Sequence, residues 1–96
     1  MIHAKKEAFG FMQRLTQRME DKTVQKAPHV QDAEILERLA RYEDMHEQIL
    51  QQLAKTTARI EELKRNGKEK TATHRQLLGK KLQYVSFLSH FDAHDL

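Results

Sequence analysis

Between residues 30 and 65 the chain carries an unbroken heptad seam. Ile35, Leu39, Tyr42, His46, Ile49, Leu53, Thr56, Ile60 and Leu63 follow one another at alternating spacings of four and three. Only His46 and Thr56 interrupt its apolar character, so the stretch reads as one long amphipathic helix with a coiled-coil line along it. Leu36, Met45 and Leu50 flank that line and widen it towards a core-facing stripe. At 1.5 Å per residue such a helix is about 54 Å long, several times the globular average. It needs partners along its whole apolar side.

The rest of the chain supplies two candidates. Ala8, Met12, Leu15 and Met19 are spaced four, three and four, with Phe9 and Phe11 alongside. This predicts a first helix over about 2–22, with Gly10 as a weak spot inside it. The period then breaks over 23–31, a linker that holds the single proline, Pro28. Asp32 and Glu34 suit the first turn of the long helix, where the backbone dipole favours negative charge. Lys64 and Arg65 sit in its last turn, and Asn66 with Gly67 offers a left-handed stop. After a hairpin turn over 66–72, Thr73 and Gln76 make a capping box ahead of a third helix, 73–91. Its apolar stripe is Leu77, Leu78, Leu82, Tyr84, Val85, Leu88 and Phe91. Residues 92–96 are expected to fray.

These signals describe an all-α chain in which three helices form antiparallel hairpins around one long central helix. Short connections make sequential helices antiparallel neighbours. The whole of 1–96 is expected to be a single domain. Each helix carries more apolar side chains than one neighbour can hide, so the chain is expected to dimerise into a helical bundle. The seam residues Ile35, Leu39, Tyr42, His46, Ile49, Leu53, Ile60 and Leu63 are the expected oligomer interface. The first and third helices should bring Phe9, Phe91, His3 and His90 near His46, a polar residue that would set register. Whether those histidines bind a metal ion the sequence leaves open.

The chemistry available is narrow. With no cysteine there is no disulfide or thiolate site, which suits a reducing cytoplasm. No apolar run approaches the ~20 residues needed to cross a bilayer, and the N-terminus lacks a signal-peptide core. No nucleophile elbow, phosphate-binding glycine loop or zinc-protease motif is present, so no catalytic activity and no cofactor are expected. The long helix is rich in glutamate, but its carboxylates mostly lie off the seam and read as a solvated face.

Charge is distributed unevenly. The net is +3 over residues 1–27, −4 over 28–62 and +4 over 63–96. An acidic middle between basic flanks can satisfy much of this charge internally. Lys64, Arg65, Lys68, Lys70, Arg75, Lys80 and Lys81 surround the expected turn and could contact phosphates non-specifically. No aromatic residues interleave with them, which counts against nucleic acid. The functional expectation is a self-associating protein–protein interaction or scaffold module. The alternative is a non-specific nucleic-acid binder using residues 64–81.

Overall fold

The computed structural model of the protein describes residues 12–96. The elements over these residues are β1 (Thr16–Arg18), β2 (Val24–Lys26), α1 (Asp32–Arg65) and α2 (Ala72–Ala93). The chain divides into two units, residues 1–40 and 41–96.

The expected first helix is not formed over its described part. Residues 12–15 are irregular, Thr16–Arg18 is a strand, and a loop follows. Residues 2–11 of that expected helix lie outside the described residues. Thr16 pairs with Lys26, Gln17 with Gln25 and Arg18 with Val24 in an antiparallel hairpin. The Ala27 N–H donates to the Leu15 carbonyl at 2.8 Å and lengthens the ladder. The helical spacing of Met12, Leu15 and Met19 is a local signal, and here local turn chemistry overrides it. The Asp21 carboxylate accepts from the Thr23 hydroxyl at 2.7 Å and from the Thr23 N–H at 3.0 Å. Such bonds compete directly with helical ones. The Lys22 N–H donates to the Met19 carbonyl, and Lys22 itself has φ 72°. A three-residue hairpin loop ending in a left-handed residue is a common strand connection. Thr16, Thr23 and Val24, all β-branched, suit the pleated backbone on either side.

The same unit starts the long helix. Glu34 reaches back to accept from the Gln31 N–H at 2.9 Å, half of a capping box one turn inside the helix start. Lys26 pairs with Asp32 at 2.8 Å, an exposed contact worth less than about 1 kcal/mol. Arg38 donates to the Gln13 carbonyl at 2.7 Å and holds the strand lead-in against α1. Leu15, Ala27, Val30 and Ile35 are half-buried, and no residue of 12–40 is fully buried.

In the second unit, residues 41–65 of α1 and the whole of α2 pack as an antiparallel hairpin. Its turn follows the sequence at one end and departs from it at the other. Gly67 has φ 71°, the Lys68 N–H donates to the Leu63 carbonyl at 2.8 Å, and the Gly67 N–H donates to the Lys64 carbonyl at 3.1 Å. This is the Schellman stop expected of Asn66 and Gly67. The cap of α2, however, is Thr71 and not Thr73. Thr71 accepts from the His74 N–H at 3.2 Å while its hydroxyl donates to the Lys68 carbonyl at 2.8 Å. Only Thr71 can bond both the turn and the helix, so the helix starts earlier than the Thr73 motif implies. At the far end α2 continues to Ala93 and closes on a second left-handed residue, Asp95, with the Leu96 N–H on the Phe91 carbonyl at 2.9 Å.

The core of this hairpin lies next to its turn. Ile60 and Leu63 are each 4% exposed, and Thr56 and His74 are each 7% exposed. Further from the turn the same seam is half-buried at Leu53, Ile49, His46 and Tyr42 on α1. On α2 it continues through Leu77, Lys81, Tyr84, Leu88 and Phe91. Phe91 closes the open end, edge-on to Tyr42 at 5.6 Å between ring centroids and 4.5 Å from His46.

Two outcomes check this account. Truncating Ile60 to alanine should cost about 2–5 kcal/mol in urea unfolding followed by circular dichroism, the range for a large-to-small change at a buried site; a loss under about 0.5 kcal/mol would contradict a core there. The second concerns the hairpin loop. The Thr23 hydroxyl, and then its amide, hold the Asp21 carboxyl below its ordinary value. A carboxylate so lowered stabilises the loop above its unfolded pKa near 3.9, and that contribution is lost as pH falls through the lower folded value. The Thr23 amide resonance should therefore titrate with a midpoint below that of a free aspartate, and Asp21→Ala should abolish that titration.

Candidate interaction surface

The expected stripe of the third helix separates into two lines. Leu77, Tyr84, Leu88 and Phe91 face α1. Leu78, Leu82 and Val85 do not: all three are exposed, Leu82 to 69%. The reason is angular. At 100° per residue, these three lie roughly 80–140° round the helix from the centre of the seam. A single neighbouring helix covers only a narrow line, which takes Lys81 onto the seam and leaves Leu82 outside it. Lys81 is tolerated there because its aliphatic stem can lie along the seam while its ammonium reaches water.

Leu50 occupies the matching place on α1. It lies about 90° round from that helix's own seam and is exposed. Because the helices are antiparallel, the same rotational sense brings both flanks to one side of the pair. The register set by Phe91 against Tyr42 and His46 puts Leu50 level with Val85. Leu50, Val85, Leu82 and Leu78 thus form one apolar row running along one side of the hairpin towards its turn. Met45 and Phe87 are exposed as well, on the opposite flank, and do not extend the row.

The residues expected at an oligomer interface are distributed differently. Ile60 and Leu63 are enclosed within the chain's own hairpin, while Tyr42, His46, Ile49 and Leu53 are half-buried along it. In the first unit Ile35 is half-buried and Leu39 is exposed, together with its neighbour Leu36. His46 lies against Tyr42 and Phe91, so Phe91 reaches it as expected. His90 is exposed, and His3 and Phe9 lie outside the described residues. Among the described residues no group of three or more His, Asp or Glu side chains is placed to hold a metal ion.

Of the basic cluster, Lys64, Arg65, Lys68 and Lys70 lie at the turn, Arg75 in the first turn of α2, and Lys80 and Lys81 in its third. Lys64, Arg65, Lys68, Lys70, Arg75 and Lys80 are exposed and Lys81 is half-buried. Among the described residues none of the seven makes an ion pair. Arg59 pairs with Glu62 at 2.7 Å along one helix. The acidic residues Glu43, Asp44, Glu47, Asp92 and Asp95 gather at the other end of the hairpin and are exposed too. The internal neutralisation expected from the charge blocks is therefore slight. Lys64 lies 17 residues, about 26 Å, along α1 from Glu47, about three times the screening length of about 8 Å at physiological ionic strength, while Lys80 and Lys81 lie nearer the middle of the hairpin.

One polar group was not singled out by sequence reasoning. His74 is the third residue of α2, and both of its ring nitrogens are buried without a hydrogen-bond partner. The hydroxyl of Tyr42 is in the same state. A buried donor or acceptor left unpaired costs about 1–3 kcal/mol. Replacing His74 with leucine should accordingly raise the stability of the hairpin by about that amount, measured by urea unfolding. A fall in stability would mean that the ring has a partner which this reading lacks.

Comparison with protein-family models, with curated proteins and with solved structures returned no match.

Proposed function

We propose that residues 41–96 form a self-associating helical hairpin, an interaction module that acts by offering helical surface to a protein partner. One observation carries the reading: the apolar row of Leu50, Val85, Leu82 and Leu78 stands in solvent beside a core of only two buried apolar residues. A contiguous apolar patch rimmed by charge is the ordinary mark of an interaction site. A row on a helix pair is also what a four-helix bundle assembled from two hairpins would bury. The absence of catalytic motifs in the sequence agrees with this reading, and no helix among the described residues is long and apolar enough to cross a membrane. Nucleic-acid binding through the basic turn ranks below it. The aromatic side chain nearest that turn on α2, Tyr84, belongs to the seam, and the exposed Phe87 lies 16 residues along the chain from the cap Thr71, outside the basic cluster.

The row can be tested apart from the fold because Leu82 contributes so little to the hairpin itself. Leu82→Glu should leave helical content and cooperative unfolding in place while shifting sedimentation from an oligomer to a monomer at micromolar concentration. An unpaired charge placed in a buried interface costs several kcal/mol, enough to reverse association. A wild-type chain that sediments as a monomer at high concentration would overturn self-association, and an oligomer untouched by Leu82→Glu would place the interface elsewhere.

A further inference from the structure

The apolar row does not by itself say how a second copy would lie on it, but the charges at the two ends of the hairpin do. The half of the hairpin towards the turn, residues 54–82, carries nine basic side chains and three acidic, a net of +6. The open end, residues 41–48 with 89–96, carries five acidic side chains and one basic, a net of −4 with histidine neutral. Both sets are exposed apart from the half-buried Lys81, and the row crosses the middle of the hairpin. The hairpin is a charged rod with opposite poles.

Two copies can meet across the row in two symmetric ways. A two-fold axis along the hairpin would put turn beside turn and open end beside open end, so like charges face each other at both ends. A two-fold axis across the hairpin would reverse one copy, so each basic turn meets an acidic end. Leu82 lies near the middle of the rod, level with residues 53 to 55 of α1, and a crosswise axis there superimposes the row on its own copy. We propose that two copies of the chain associate antiparallel through Leu50, Val85, Leu82 and Leu78, with the basic turn of each lying against the acidic open end of the other. The inference rests on the self-association proposed above and adds its direction. Complementary ends select this orientation more than they add to affinity, because like charges set face to face penalise the alternative.

The chain has no cysteine, so one introduced thiol carries a single spin label. Glu69→Cys places that label on the turn, on an exposed residue outside the apolar row. In the antiparallel pair, double electron–electron resonance should give a label-to-label distance of about 35–40 Å, the length of the rod. Added salt should weaken association, and Lys68→Glu with Lys70→Glu should weaken it by roughly tenfold or more while circular dichroism stays unchanged. A distance under about 20 Å, or association strengthened by salt, would overturn the antiparallel arrangement and leave self-association standing. A chain that stays monomeric at every concentration overturns both. Retention of duplex DNA at physiological ionic strength, lost on the same double substitution, would assign the basic turn to a polyanion and overturn its role as a partner for the acidic end.

Discussion

A pair of helices has one line of contact, and the second unit is governed by that fact. Along the line, side chains from α1 and α2 exclude water; a quarter-turn away on either helix they do not. The closed part of the line lies where Ile60 and Leu63 meet the first turns of α2. It forms because two backbone devices reverse the chain within six residues: the left-handed Gly67 and the doubly bonded Thr71. Without that reversal α2 would have no reason to return along α1, and neither the seam nor the exposed row beside it would exist.

Much of the helical architecture was legible in the residues. The alternating spacing from Tyr42 to Leu63 identifies the face that α2 covers, and Asn66 with Gly67 marks where the helix stops. Two things were not legible. The first is the strand pair, where Met12, Leu15 and Met19 happen to fall at helical spacing. What decides against helix there is the bonding of Asp21 with Thr23 and a pairing between segments six to ten residues apart, which a periodicity cannot register. A signal was available in the clustering of Thr23 and Val24 beside an aspartate. The second is the cap of α2, where Gln76 three residues on favours Thr73, and only the position of the Lys68 carbonyl selects Thr71.

The candidate surface was partly legible. In the sequence Leu78, Leu82 and Val85 read as apolar and helical, and nothing there separates them from the stripe of Leu77 and Tyr84. A stripe that wide suits a helix with two neighbours, and α2 has one in the described structure. The separation into a covered line and an exposed line follows from the number of partners, which no single helix encodes. The charge poles were visible as blocks along the sequence. The hairpin sends the basic block and the acidic residues to opposite ends, and that is what turns a matter of composition into one of direction.

The concentration of the core beside the turn has a kinetic meaning. Leu63 and His74, both buried, are eleven residues apart in the chain, whereas Tyr42 and Phe91 are separated by forty-nine. The best-covered contacts are therefore also those with the shortest loops to close, and loop closure is cheapest where it is shortest. Chains whose stabilising contacts are local in sequence fold fast. This hairpin is built to close like a zip, from the turn outward, with the rings of Tyr42, His46 and Phe91 engaging last and opening first.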